Sequence, residues 1–326
     1  SLFALATGAL GVRGGLEEAP GATQGSFLAG AWERSPIGYH ERFPGFAAHT
    51  DTRIPVADAI GIQLRLGEVP VRLSEGEWLA FERELDLRTG CYRRHLRWRA
   101  PTGATLDIRA ERLVLLDEPG LLAIRYSVQS DDYAGPISLE STIDTGRDAV
   151  EQGFDPRIGT HVDGGFRTLA AAADEQLAWL VQETTHSGVR VACVQQHRLG
   201  GTLHCRYGGH APHGVAQIIE GELAPGRHVT LEKYASYAWT GPHEDLPAEA
   251  LRQRAGEALQ RAGAAGFDAL LAAQTAALAP LWSQADLAID GDPSVEQALR
   301  FNLFHVYQSS SRDGRASAAA KGLTGE

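Results

Sequence analysis

Apolar and polar residues alternate one by one through most of the chain up to Trp239, and this leaves few folds open. Ile62, Leu64 and Leu66 share one face of a strand, with Gln63 and Arg65 on the other. Leu122, Ile124, Tyr126 and Val128 alternate with Ala123, Arg125, Ser127 and Gln129. His95, Arg97 and Arg99 alternate with Leu96 and Trp98, and Leu106 and Ile108 flank Asp107. A period of two belongs to a pleated strand with one face buried. Turn chemistry separates the runs at Arg88-Thr89-Gly90, Pro101-Thr102-Gly103 and Asp117-Glu118-Pro119-Gly120. Many short strands with no helices between them fit an antiparallel sandwich, not a sheet built from βαβ units.

The period changes after Trp239. His243-Glu244-Asp245-Leu246-Pro247 is a breaker, and Ala248 to Ala264 and Phe267 to Leu278 are rich in Ala, Leu and Gln, as helices are. Asp292 then caps a further helix with Pro293 in its first position. Val295, Leu299, Leu303 and Val306 fall on one face of that helix, and the polar stretch from Ser309 to Gly314 ends it. The expected division is a β-sandwich domain over 1–241, a helical linker over 242–285, and the first helix and loop of another helical domain over 286–326.

A length of 326 residues accommodates two domains or one large β domain with helical additions. A net charge of -11 argues against nucleic acid as the main partner, because phosphate backbones select basic surfaces. No apolar run is long enough to span a bilayer and no signal-peptide pattern opens the chain, so the reading is of no membrane partner and a cytoplasmic location. Cys91, Cys193 and Cys205 are odd in number and widely spaced, which suits buried thiols in a reducing compartment. The chain has no methionine and reads as an internal segment. Its only lysines are Lys233 and Lys321, against 30 basic residues in all. In so Arg-rich a background, each marks a place where a compact, rotatable ammonium is expected to matter.

Several clusters invite chemical readings. His204, Cys205, His210 and His213, with His197 nearby, resemble metal ligands. Their spacing matches no closed zinc site, so a histidine-bearing hairpin is the expectation and no metal is assigned. The acidic pairs Glu17-Glu18, Asp131-Asp132 and Glu244-Asp245 read as solvated loops. No phosphate-binding Gly-rich loop or nucleophile elbow appears. The segment from Trp32 to Phe46, with Tyr39, His40 and Arg42, offers aromatic faces and charges suited to sugar rings and hydroxyls; a loop packed on its own sandwich explains it equally well. Phe304 and Tyr307 suit either a pocket floor or packing between helices.

Taken together, Ser1-Leu2-Phe3-Ala4-Leu5, Gly11-Val12-Arg13-Gly14, Glu17-Glu18, the run from Arg83 to Gly90, Pro101-Thr102-Gly103, Arg300-Phe301-Asn302-Leu303-Phe304, Asp313-Gly314-Arg315 and Lys321-Gly322-Leu323-Thr324-Gly325-Glu326 resemble glycoside hydrolase family 65. This family comprises α-glucosyl disaccharide phosphorylases and related hydrolases. One departure lies in the opening motif: the family has an Asn-Gly pair where this chain reads Ala6-Thr7-Gly8-Ala9. The resemblance implies a mainly β architecture: an N-terminal super-β-sandwich, a helical linker and the first helix of a six-hairpin α/α barrel. It also implies inverting phosphorolysis of an α-linked glucosyl disaccharide to β-glucose 1-phosphate, with inorganic phosphate as co-substrate, no other cofactor, and a homodimer at full length. A protonated Glu on a barrel loop would serve the glycosidic oxygen while phosphate attacks from the opposite face. Both that Glu and a Trp-Asp-Thr-Glu glucose clamp lie beyond Glu326 in the family's order, so no residue of this chain is assigned catalysis. Phe304, Tyr307, Lys321, Thr324, Glu326, Tyr39, His40 and Arg42 are left as pocket support. The competing readings are a family-65-like α-glucoside hydrolase and a free-standing carbohydrate-binding sandwich, and the helical tail weighs against the second.

Overall fold

The structure is a computed structural model that describes residues 2–19, 25–37, 43–146, 165–241, 244–312 and 323. In chain order the strands are β1 (Leu5–Ala6), β2 (Leu10–Val12), β3 (Ser26–Leu28), β4 (Trp32–Pro36), β5 (His49–Arg53) and β6 (Ile62–Leu66). Next come β7 (Val69–Pro70), β8 (Glu77–Asp86), β9 (Cys91–Arg99), β10 (Thr105–Val114), β11 (Leu121–Ser130) and β12 (Gly135–Asp144). The last six are β13 (Phe166–Ala173), β14 (Ala178–Thr184), β15 (Arg190–Gly200), β16 (His204–Ala211), β17 (Gly214–Leu223) and β18 (His228–Trp239). Three helices follow: α1 (Ala248–Ala265), α2 (Phe267–Ala285) and α3 (Pro293–Ser309).

An eight-stranded sheet, ordered β13-β14-β15-β18-β11-β10-β9-β8, faces a five-stranded sheet, ordered β16-β17-β12-β6-β7. Every pairing is antiparallel. The alternation explains how they meet. Ile62, Leu64 and Leu66 point inward from one sheet, and Leu122, Ile124, Tyr126 and Val128 from the other, into one shared core. Main-chain bonds close the turns, with Gly90 N donating to Asp86 O (2.8 Å), Gly103 N to Ala100 O (2.9 Å) and Leu121 N to Glu118 O (2.8 Å).

On β11, Ala123 is buried as well as its inward neighbours, because α1 covers the outer face of the large sheet. Leu251, Ala255, Leu259 and Ala262, spaced three and four apart on α1, pack there against Val181, Ala192, Val194 and Ala238. The chain then bends by 105° between α1 and α2. Two side chains fasten α2 to the ends of sheet strands: Gln274 Oε1 accepts from Leu116 N (2.9 Å), and Trp282 Nε1 donates to Leu87 O (2.9 Å). Asp292 caps α3 as its sequence dictates, accepting from Ser294 N (3.0 Å) and Val295 N (3.2 Å).

The apolar stripe of α3 goes inward only at Leu303, which is partly buried against the main core. Val295 (44%), Leu299 (37%) and Val306 (66%) are exposed, whereas Phe304 and Gln308, four residues apart, are the buried positions. The helix docks by a narrower face than its periodicity indicates.

Candidate functional site

The docking partner of α3 is the opening hairpin β1–β2. β1 is the outer strand of a three-stranded sheet ordered β1-β2-β3, so one edge of its backbone needs partners. Gln308 supplies them: its Oε1 accepts from Ala6 N (2.8 Å) and its Nε2 donates to Ala4 O (3.1 Å). The side-chain amide thus does what a neighbouring strand's peptide would do. Phe304 lies in the main core, and Tyr307 is partly buried beside it with the Arg312 guanidinium 4.4 Å from its ring centre. Arg312 Nη1 also donates to Thr7 O (3.4 Å).

The hairpin turn shows how the departure from Asn-Gly is accommodated. Thr7 Oγ1 accepts from Leu10 N (3.1 Å) and Ala9 N (3.3 Å), and it donates to Pro119 O (2.9 Å) in the connection between β10 and β11. A hydroxyl can close a turn in this way as an Asn side chain does. Gly8 follows at φ +82°, and a Cβ there would stand 2.1 Å from Ser310 O. At Gly11 a Cβ would stand 2.7 Å from both Cβ and O of Leu323, which is itself buried.

Behind the hairpin lies a buried ionic cluster. Glu17 and Glu18 were expected in solvent, yet both are buried. Arg94 Nη2 donates to Glu17 Oε2 (3.0 Å) and Glu18 Oε1 (2.7 Å), Arg112 pairs with Glu17 Oε1, and Tyr126 OH donates to Glu18 Oε1 (2.7 Å). Burial alone would raise the Glu17 pKa, but the charges of Arg112 and Arg94 outweigh it and hold the carboxyl below its usual range. The signal was present in the sequence. Arg94 lies in phase with Tyr92 and Leu96, and Arg112 with Ile108 and Ala110, at inward strand positions that demand buried counter-charges. The pairs Asp131-Asp132 and Glu244-Asp245 are exposed, as expected.

A second polar group spans the space between the two main sheets. Lys233 on β18 is fully buried, and its Nζ donates to Gly61 O (3.1 Å) and Thr142 O (2.9 Å) across the sandwich. Burial pulls its pKa down to about 7. On neighbouring β15, His197 Nε2 lies 2.8 Å from Ser141 Oγ; burial, then the Lys233 charge, push its pKa down to about 3.

Tyr39, His40, Arg42, Lys321, Thr324 and Glu326 lie outside the described residues. Of the sequence-based pocket candidates, the structure therefore places Phe304 and Tyr307 alone, both on the docked end of α3. His204, His210 and His213 are exposed, and among the described residues no three metal-ligating side chains come together. The three cysteines are free, and burial pushes the Cys91 and Cys193 thiols up to about 12. A small polar depression of about 140 Å³, lined by residues that include Arg97, Asp107, Arg109 and Asp131, lies on the outer face of the large sheet. Its charges are paired among themselves: Arg109 with Asp107 (3.0 Å) and Arg97 with Asp131 (3.5 Å). Small-molecule sites run to roughly 300–1,000 Å³, so this depression is too small for one.

The profile of the "Glycosyl hydrolase family 65, N-terminal domain" matches residues 1–281. The chain belongs to glycosyl hydrolase family 65. It is 33% identical over 328 residues to an "uncharacterized glycosyl hydrolase" of Mycobacterium tuberculosis, covering 100% of this chain and 41% of that protein. It is 32% identical over 332 residues to the α,α-trehalose phosphorylase of Thermoanaerobacter brockii, covering 100% and 42%. The solved structure of a putative kojibiose phosphorylase from the human microbiome superposes with a TM-score of 0.88 at 21% identity, over 100% of this chain and 42% of that one. This likeness shows the family fold. The chain thus spans about two-fifths of the length of the relatives it matches. Within the family-65 frame, the opening motif forms the hairpin under α3, and the Glu17-Glu18 pair anchors the segment that leaves it.

Proposed function

We propose that this chain is the N-terminal part of an inverting phosphorylase that cleaves an α-linked glucosyl disaccharide with inorganic phosphate, yielding β-glucose 1-phosphate and a free sugar. The observation that carries the reading is similarity across the whole chain to a trehalose phosphorylase at 32% identity. A kojibiose phosphorylase of Escherichia coli is also similar across the whole chain, at 25% identity. In this reading residues 1–241 form the sandwich domain, 242–285 the helical linker and 286–326 the start of an α/α barrel. The exposed stripe Val295, Leu299 and Val306 supports the last assignment, since a first barrel helix keeps an apolar face for helices that follow. Protonation of the glycosidic oxygen belongs to a carboxylic acid downstream of Glu326, with phosphate attacking the anomeric carbon from the opposite face. Tyr307 would border the sugar pocket, with Phe304 supporting it from the core, and the whole enzyme would be a cytoplasmic homodimer.

Hydrolysis is the second reading, favoured by the 33% identity to a protein named a glycosyl hydrolase. One experiment separates the two. The full-length gene product is incubated with trehalose, kojibiose, nigerose or maltose, with and without phosphate, and the product anomer is read by NMR. Phosphate-dependent β-glucose 1-phosphate is the expected result. Glucose released equally without phosphate would replace phosphorolysis by hydrolysis, and no turnover of any α-glucoside would remove both.

A further inference from the structure

We propose that His305 and Gln308 form an acid-released catch, which holds α3 on the outer edge of β1 and lets go when the His305 ring takes up a proton. The catch goes beyond the reaction proposed above and does not depend on it. The backbone dictates how the Gln308 amide is turned. Ala6 N is a donor and Ala4 O an acceptor, so Oε1 must face the first (2.8 Å) and Nε2 the second (3.1 Å). The remaining hydrogen of Nε2 is left for His305 Nδ1, 2.7 Å away. An amide nitrogen only donates, so Nδ1 must accept, and the single proton of the ring sits on Nε2.

A second proton can enter only at Nδ1, where it would set one donor against another at 2.7 Å. Turning the amide over gives no relief, because Oε1 would then face Ala4 O and Nε2 would face Ala6 N. The charged ring is therefore incompatible with both bonds to β1. The docked site disfavours the charge as well. Phe301 and Phe304 flank the ring, with centroids 4.2 and 5.6 Å away, and Nε2 is buried with no hydrogen-bond partner among the described residues. Burial is the largest influence on His305 and lowers its pKa; the amino group at residue 1 adds to this, and the Leu2 backbone opposes it. Residues 2–6 carry no titratable side chain. The charges beside them and along α3 are engaged elsewhere: Arg312 with Thr7 O (3.4 Å), Arg83 with Gly14 O and the Phe3 ring, and Arg300 with Asp286 (2.6 Å) and Glu296. Released, the ring regains the ordinary histidine pKa of about 6.5, so the released helix binds the proton that the docked helix refuses. The catch thus holds above that pH and weakens by about tenfold per pH unit below it, for as long as the docked ring stays neutral.

The test is hydrogen exchange by mass spectrometry on the full-length protein, following the peptide that contains Ala6 and correcting for the intrinsic pH dependence of exchange. From about pH 7.5 to about pH 5.5 the wild-type segment should lose protection about tenfold. His305→Asn offers an amide oxygen in place of Nδ1 and does not titrate, so its protection should match wild type at the higher pH and change by less than about twofold over the range. Gln308→Leu lacks the catch, so its β1 should be weakly protected at both pH values, again within about twofold. This second variant decides the matter should His305→Asn fail to fold. A merely structural role would lower protection in the variants and leave its pH dependence in place. Equal pH dependence in wild type and either variant therefore overturns the proposal, and so does wild-type protection that is indifferent to pH.

Discussion

Replacing Lys233 with methionine should remove a pH dependence of stability that the native sandwich carries through the neutral and alkaline range. The ammonium is enclosed between the sheets, with Gly61 O and Thr142 O as acceptors. Burial is the largest influence on it, only partly opposed by the charge of Asp58, and it brings the pKa to about 7. In the unfolded chain a lysine titrates near roughly 10.4. Between these values the unfolded chain holds a proton that the native protein has released, so stability rises as pH rises, by up to about 1.4 kcal/mol per pH unit. Below about pH 7 both states are protonated and the dependence flattens. Over the whole window the effect reaches about 5 kcal/mol.

Methionine is similar in length and does not titrate, so the difference between wild type and Lys233→Met isolates this one group from all others. It also leaves two buried carbonyls without their donor, at about 1–3 kcal/mol each. Urea unfolding of both proteins at intervals from about pH 6.5 to 9.5 gives the difference directly. It should move in favour of wild type by at least about 2 kcal/mol across that range. A difference that stays constant would refute the reasoning, because it would mean that the buried ammonium keeps its proton throughout.

Other sites give sharp expectations. Glu17→Gln removes a carboxylate held between Arg94 and Arg112, and breaking such a buried pair should cost about 3–5 kcal/mol in chemical denaturation. The exposed Asp131→Asn should stay within about 0.5 kcal/mol, and equal costs at the two sites would undo the distinction between them. His197 keeps a pKa of about 3 in the native protein, so stability should fall as pH drops from about 6.5 towards 3. In His197→Gln that part of the acid limb should vanish, and an unaltered acid unfolding curve would exclude His197 as its source. Val306→Arg should leave this chain's unfolding free energy unchanged within about 0.5 kcal/mol, since the side chain is exposed. In the full-length protein the same change should abolish activity if that face is covered there, and retained activity would count against the barrel assignment.

The strands were legible because alternation reports burial directly: each inward residue from Ile62 to Leu66 and from Leu122 to Val128 is where the period puts it. The ionic cluster was harder, since its members lie far apart in the chain and Glu17 and Glu18 sit on no strand. An arginine at an inward strand position was the available clue, as it requires a carboxylate that local spacing cannot name. The same limit applies to α3. Its period picks out Val295, Leu299, Leu303 and Val306, of which Leu303 alone packs on the core, whereas the helix is seated chiefly by Phe304 and by a glutamine bonded to the edge of β1. Helical periodicity records the largest apolar face a segment must cover in its finished assembly. A polar residue that completes a strand edge leaves no mark in that pattern. An apolar stripe left open beside a well-satisfied glutamine therefore indicates that two different contacts shaped this helix. The glutamine contact is complete within these residues; under the proposed function, the stripe is completed by the helices of the barrel.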